Sequence, residues 1–526
     1  MKFAFDPPIV DKIARMQQRV RWQDAAFQIR QIDRTQLHIN DRNQNLSEFA
    51  FLVLGDSGSG ANKSLTPQNQ IAQLMLQQQH EIDFILHTGD VVYEVGSQEY
   101  YRQNFLIPYQ RFIVSKQTTK QVVRDGVTFN KPFLPVLGNH DYYNLPLSKA
   151  ALAQAIKLFN WLKGSGYHLN VGLQGSDIGE TYARVFLDYT ANFTPEELAL
   201  HLDSHYTAKF QKRFCLDYRP HHFTRLPNRY YSFRYGDIDF IALDSNTFNS
   251  AIPLADIPEG IKIREELTAQ LEILNQQLEQ LRLDAQKLDL GNPFHQDLMN
   301  DYRAKIQYIK KKQQEIQNKL EPKEVAIDRE QLNWFENKLI ASWSDPTVRG
   351  RIVYLHHSPY TTEATKCQLE ETLEVRRHLR RVLNRVAHTL GDYTQGRPLL
   401  DLVISGHAHC FEHLYTVDPE AADFGIDWLV CGGGGHSVRR QKSQNTGRST
   451  ANMAIAEWQD GKTKEVAQSR LFLGCKGYGI YQKKLYSCLR IDVREGNPPQ
   501  FLVRPLVAEQ AYQNWYHYQP DPIVIN

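Results

Sequence analysis

Phe49-Ala50-Phe51-Leu52-Val53-Leu54-Gly55-Asp56-Ser57-Gly58 decides the fold. Six apolar residues run without interruption and stop at a glycine followed by an aspartate. Continuous apolarity, in place of alternation, suits a strand buried on both faces of its sheet. The pattern returns at Phe84-Ile85-Leu86 before Gly89-Asp90, and at Phe133-Leu134-Pro135-Val136-Leu137 before Gly138-Asn139-His140-Asp141. It returns again at Ile352-Val353-Tyr354-Leu355 before His356, and at Leu402-Val403-Ile404 before Gly406-His407-Ala408-His409. Residues 67–79 read as a helix between the first two strands. Strands separated by helical stretches predict an α/β core, and polar residues just past strand ends lie where such sheets bind ligands.

Outward from these strands, the 526 residues allow about three domains, or one large core carrying insertions. Residues 1–46 are polar and rich in Gln and Arg, and read as a leader packed on the outside. The first half of the core spans 47–255. Within it, 145–228 reads as an insertion beside the site and a candidate cover, with helical patches at 147–163 and 195–213. The runs 230–235 and 238–244, split by Gly236-Asp237, predict a β-hairpin. Residues 256–324 are different: Leu267, Leu271, Leu274, Leu278, Leu281, Ala285 and Leu288 follow a 4-3 spacing. Gly291-Asn292-Pro293 breaks it, and Tyr302, Ile306, Ile309, Gln313, Ile316 and Leu320 resume it. That predicts two helices of roughly 25 residues, each about 37 Å long, folded into an antiparallel coiled coil over 261–320. It reads either as a rigid ornament or as an arm for a protein partner or self-association, and it carries no catalytic cluster. The second half of the core and a C-terminal tail occupy 325–526. There Asp328 caps a helix containing Gln331-Leu332 and Trp334-Phe335, and further strands are expected at 427–431 and 485–493.

Composition narrows the function. With 61 Lys+Arg against 59 Asp+Glu the net charge is +2, so no whole-chain electrostatic case for nucleic acid exists. The longest apolar runs fall far short of the roughly 20 residues of a membrane helix, and the first 22 residues hold no apolar segment of signal-peptide length. Six cysteines are scattered without a C-x-x-C pair, which excludes a zinc ribbon or a disulfide framework. The expectation is a soluble, cytoplasmic protein with reduced thiols.

Taken singly, an Asp after a strand is usually a helix cap and Asn-His is turn chemistry. Five such clusters, each at a strand's polar end, are not explained that way. In order, Gly55-Asp56-Ser57-Gly58, Gly89-Asp90-Val91-Val92-Tyr93, Gly138-Asn139-His140-Asp141, Val353-Tyr354-Leu355-His356 and Gly406-His407-Ala408-His409 resemble the five-block signature of the calcineurin-like metallophosphoesterase superfamily. Within it they resemble the purple acid phosphatase branch, which reads G-D-x-G, G-D-x-x-Y, G-N-H-[DE], V-x-x-H and G-H-x-H. The segments Leu243-Asp244-Ser245, Gln331-Leu332-x-Trp334 and Cys431-Gly432-Gly433-Gly434-Gly435 extend the likeness, which covers about 47–255 and 325–440.

The resemblance implies a four-layer α/β/β/α sandwich and a hydrolase of phosphomonoesters that uses hydroxide held by two metal ions. Two cations about 3.5–4 Å apart lower the pKa of a shared water and neutralise the equatorial oxygens of the phosphate. By family position Asp56, Asp90, Tyr93 and His409 hold the first ion, and Asp90, Asn139, His356 and His407 the second, with Asp90 bridging. Many superfamily members read D-x-H in the first block. Here that position is Gly58, so Tyr93 replaces the missing ligand, and a phenolate suits Fe(III). The resemblance thus implies Fe(III) with Fe(II), Zn or Mn, against the plainer reading of Tyr93 as a packing aromatic beside a generic divalent pair. His140 is expected to contact phosphate and protonate the leaving alkoxide, oriented by Asp141; the alternative is a hydrogen bonder behind the ligands.

His356 and His357 face opposite ways on a strand, and His356 is the choice of ligand. His413 reads as structural more than substrate-binding. His201, His205, His221 and His222 could add a substrate contact, and nothing in the spacing selects among them. The substrate is expected to be a small phosphorylated molecule. A phosphodiesterase or nucleotide hydrolase on the same site is the alternative enzyme, and a non-catalytic scaffold docking through the 261–320 arm is the alternative of another class.

Overall fold

A computed structural model describes residues 4–41, 43–58, 66–114, 126–144, 177–251, 260–289, 291–320, 327–442, 453–459 and 462–526. The helical patch expected at 147–163 lies outside them.

Two sheets carry the described core. In the first, the order is β18 (Asn514–Tyr518), β17 (Phe501–Ala511), β16 (Lys483–Val493), β2 (Phe49–Leu54), β3 (Phe84–His87) and β4 (Phe133–Pro135), with β15 (Cys475–Lys476) and β19 (Ile523–Ile525) attached. Strands β2, β3 and β4 are parallel, and β16 pairs antiparallel with β2, placing Leu489 opposite Val53. The second sheet runs β13 (Met453–Gln459), β14 (Lys462–Leu473), β11 (Phe411–Thr416), β12 (Asp427–Cys431), β10 (Leu402–Ser405), β9 (Gly350–Tyr354), β8 (Ile238–Ala242), β7 (Tyr231–Tyr235), β1 (Ile32–Ile39), β6 (Arg213–Tyr218) and β5 (Ala208–Phe210). Its centre, β8-β9-β10-β12, is parallel, and β7-β8 is the antiparallel hairpin expected from 230–244.

Alternation explains why these strands read as unbroken apolar runs. Ile352 and Tyr354 enter the core shared by the two sheets, whereas Val353 and Leu355 enter a second core beneath helices. The shared core is aromatic: Phe51 stacks on Phe84 at 4.9 Å, and Phe233 on Phe240 at 4.8 Å. Phe84 then meets Phe233 edge-on at 5.8 Å, and Phe51 meets Phe240 edge-on at 5.6 Å. Each buried ring contributes about 1.5–3 kcal/mol by leaving water. Helix α1 (Thr66–Gln77) covers the first sheet with Ile71 and Met75, and α4 (Arg329–Ser344) and α5 (Glu370–Leu390) cover the second with Phe335, Leu339, Val375 and Val382. The layers are therefore α/β/β/α. Asp328 caps α4 through the Gln331 amide at 3.1 Å, and Gln331 exchanges hydrogen bonds with the backbone of Asp244 at 2.7 and 3.1 Å. Residues 32–39, part of the polar N-terminal segment in sequence, are not packed outside the core: they form β1, inserted between β6 and β7.

The stretch 261–320 forms two helices, α2 (Gly260–Gln286) and α3 (Pro293–Leu320). They lie antiparallel, with Arg264 Nη1 donating to Leu320 O at 2.9 Å and Gln313 to Asn275 at 2.7 Å, and Leu278, Ile309 and Ile316 buried. Helix α3 is laid along the core: Asp301 pairs with Arg440 at 3.0 Å, Asp297 accepts from Gly479 N at 2.6 Å, and Tyr308 donates to Gln368 at 3.3 Å. No helix among the described residues is long and apolar enough to cross a membrane.

Candidate metal centre

Every strand-end cluster read from the sequence arrives at the same end of the two sheets. Asp56 follows β2, Asp90 follows β3, Asn139 follows β4, His356 follows β9, and His407 and His409 lie between β10 and β11. Asp56, Asp90 and His407 take left-handed backbone angles, φ 53°, 51° and 68°, a region side chains rarely adopt. Strain of this kind is held where the surroundings over-determine a position, as at functional sites. Gly138 is required by contact: a Cβ there would lie 2.1 Å from Asp90 Oδ1.

One group forms around Asp90, His356 and His407, each offering a donor atom within 4.8 Å of the others. His356 Nε2 lies 3.4 Å from Asp90 Oδ2, 3.1 Å from Asn139 Oδ1 and 3.1 Å from His407 Nδ1. The His356 Nδ1–H donates to Thr88 O at 2.8 Å, which turns Nε2 toward this group. His407 N donates to Asp56 Oδ2 at 2.8 Å. In the second group, the Tyr93 hydroxyl donates to Asp56 Oδ1 at 2.6 Å and lies 3.1 Å from His409 Nε2, which is 3.6 Å from the same Asp56 oxygen. A Cβ at Gly58 would sit 2.6 Å from the backbone of Val92 and Tyr93. A histidine there would collide with the segment that delivers the tyrosine.

The electrostatics are those of a cation site. Burial, with the charge of Asp90 adding to it, raises the Asp56 carboxyl to about 7. Burial disfavours a charged His356, yet the Asp90 carboxylate prevails and raises the ring to about 9. Asp90 itself, despite burial, is held well below the usual carboxylate range by His356 and His140. Two ring nitrogens 3.1 Å apart, His356 Nε2 and His407 Nδ1, can both turn lone pairs inward only with a positive charge between them. Buried His409 Nδ1 has no hydrogen-bond partner. Hard oxygen donors mixed with imidazoles fit iron, zinc or manganese.

His140 N donates to Asp90 Oδ1 at 2.9 Å, and its Nδ1–H donates to Glu94 O at 2.8 Å. Asp141 does not take the orienting role expected of it. Its oxygens are occupied by Tyr101 OH at 2.8 Å and Gly138 N at 2.9 Å, so it braces the turn, and the Glu94 carbonyl orients His140. His357 Nδ1 lies 2.8 Å from Ser245 Oγ, and its ring 4.5 Å from that of His407. His413 pairs with Asp427 at 2.7 Å within the sheet. His201 pairs with Asp188 at 2.8 Å and His205 stacks on Phe223 at 3.7 Å, so neither belongs to the centre.

Sequence reasoning passed over His436, His87, Glu371 and Lys366. His436 stacks on Tyr93 at 4.0 Å, opposite His140 at 4.1 Å, and its backbone N–H donates to Asp56 O at 2.9 Å. Its place directly after Gly432 to Gly435, the glycine turn of the likeness, was a usable signal. His87 braces the loops, 2.8 Å from Ser57 Oγ. His407 Nε2 lies 2.5 Å from Glu371 Oε1 and 2.9 Å from Lys366 Nζ.

Residues 49–242 match the family model for calcineurin-like phosphoesterase. No curated protein matches the chain. Among solved structures it is similar to GAP50, described as the anchor in the inner membrane complex of Plasmodium, at 12% identity and TM-score 0.34, covering 90% of this chain and 89% of that one. It is similar to PhoD at 9% identity and TM-score 0.37, covering 91% and 70%, and to a dimetal phosphatase from Danio rerio at 11% and 0.34, covering 91% and 98%. Likenesses this distant carry no functional inference.

Proposed function

Because this chain carries a calcineurin-like metallophosphoesterase domain, we propose that it is a dinuclear-metal phosphoesterase acting on small phosphomonoesters in the manner of an acid phosphatase. One observation carries the reading: Asp56, Asp90, Asn139, His356 and His407, drawn from five separate segments, meet in one buried cluster with contacts of 2.8 to 3.4 Å. Asp56, Asp90, Tyr93 and His409 would hold one cation, and Asp90, Asn139, His356 and His407 the other. Bound cations would supply an activated water and neutralise charge on the phosphate oxygens.

The chain's own residues do the remainder. Thr88 O and Glu371 fix the proton positions on His356 and His407. Glu94 O accepts from His140 Nδ1 and so orients the ring, and His140 would deliver the proton to the departing alkoxide. Lys366 adds positive charge beside His407, which favours the dianion of a monoester over the monoanion of a diester. Tyr93, wedged between His140 and His436 with its oxygen on Asp56, supports Fe(III) at the first position, paired with Fe(II), Zn or Mn.

Turnover of p-nitrophenyl phosphate and bis-p-nitrophenyl phosphate by metal-loaded protein tests this. The expected result is faster cleavage of the monoester; the reverse order identifies a diesterase, and cleavage of neither identifies a scaffold. A visible tyrosinate-to-iron band, abolished in Tyr93→Phe, is the expected mark of the metal. A colourless active zinc or manganese protein would remove iron and leave the hydrolase.

A further inference from the structure

His357, Glu371 and His407 bring three more donor atoms within 4.8 Å of one another, on the side of His407 facing away from Asp90. Ammonium groups stand there. Lys311 Nζ, from α3 of the inserted helical pair, lies 2.5 Å from Glu371 Oε1, and Lys366 Nζ lies 3.6 Å from the same oxygen. Helix α3 also grips the neighbouring backbone, since Glu315 accepts from Glu370 N at 3.0 Å. The grip therefore acts on Glu371 through both its side chain and its own helix terminus.

The chemistry turns on which hydrogen His407 carries. Its Nε2 has two competing neighbours, Glu371 Oε1 at 2.5 Å and Lys366 Nζ at 2.9 Å, and a neutral imidazole satisfies one of them. If Nε2–H donates to Glu371, the lone pair is on Nδ1, facing His356 and the centre. If Lys366 donates to Nε2, the hydrogen moves to Nδ1 and His407 has no lone pair to offer there. A carboxylate behind a ligating imidazole fixes both its tautomer and its direction. Free to rotate, Glu371 would leave the choice to Lys366; pinned by Lys311, it does not.

We propose that Glu371 is a positioning residue for His407, and that Lys311, supplied by the inserted helices, pins Glu371 so that docking of α3 sets cation affinity at the Asp90–His356–His407 position. The inference rests on the reading of His407 as a ligand.

Zinc retention by the full-length, zinc-loaded chain against a graded chelator provides the test, with elemental analysis counting the ions kept. In Glu371→Gln and in Lys311→Met, one ion should be lost at about 10- to 100-fold lower chelator concentration while the other is held as in the parent. The direction is diagnostic for Lys311→Met. Charge repulsion alone predicts that removing a nearby ammonium tightens cation binding, whereas positioning predicts that it weakens. Lys311→Arg should restore retention. Unchanged or tighter binding in Lys311→Met overturns the part given to the helices, and unchanged binding in Glu371→Gln overturns the positioning role. His407→Ala separates this from its premise: if that variant keeps both ions, His407 is not a ligand and the underlying site reading fails.

Discussion

His407 is held from two sides by two kinds of structure. On one side, strand ends of the sheets present Asp56, whose backbone takes a left-handed angle, and His356, both packed against glycines. On the other, a helix of the inserted pair presents Lys311 through an ion pair whose lysine side chain is 27% exposed. The first side is over-determined, because each group is fully buried and bonded to several neighbours at once. The second rests on fewer contacts: Lys311 to Glu371 to His407, with Glu315 holding the Glu370 amide beside them. Rigid sheets locate donor atoms, and a surface insertion can tune one of them without moving the rest.

The largest expected effect breaks the sheet side. Asp90→Asn removes the charge proposed to join the two cation positions, and bound metal and hydrolysis should disappear together, read by elemental analysis and p-nitrophenyl phosphate turnover. Full activity with both ions kept would show that Asp90 does not join the groups.

A pH titration sharpens the same side. Asp56 is raised by burial from 3.8 to about 7 in the metal-free fold. A carboxyl with a raised folded pKa stabilises fully below its unfolded value, and that contribution is lost as pH rises through the folded one. Between about pH 4 and pH 7, metal-free Asp56→Asn should therefore gain stability relative to the metal-free parent, seen as a growing difference in urea midpoints. A difference that stays flat over this window would mean that Asp56 is ionised throughout.

The smallest effect belongs to the far face of the inserted helices. Leu283 is 46% exposed, and Leu283→Ala should change stability by no more than about 0.5 kcal/mol in thermal melts, with zinc retention untouched. A loss of zinc there would extend the tuning role along the whole insertion.

What could be read from sequence follows the same division. Strands β2, β3, β9 and β10 were legible because burial on both faces leaves an unbroken apolar run, and the donor residues follow directly at their ends. Strand β1 was not: Ile32, Leu37 and Ile39 are buried, but a register shift between Ile32 and Leu37 breaks the alternation that would reveal them. The helical pair was legible as helices through its 4-3 spacing, while Lys311 looks like any solvated helix lysine until Glu371 is opposite it. Asp141 was misread because adjacency to His140 in sequence does not survive the turn, where its carboxylate folds back onto Gly138 N. His436 stands five residues past the end of β12, beyond four glycines, so only the glycine turn points to it.

The pairing of β2 with β16 carries a consequence for biosynthesis. The strand that delivers Asp56 finds one of its two sheet neighbours at 489–493, more than four hundred residues downstream. At roughly 5–20 residues per second, a ribosome needs tens of seconds to supply it. Until then the aromatic strand Phe49–Leu54 has an open edge, and a chain truncated before residue 489 should expose that edge and be prone to aggregate.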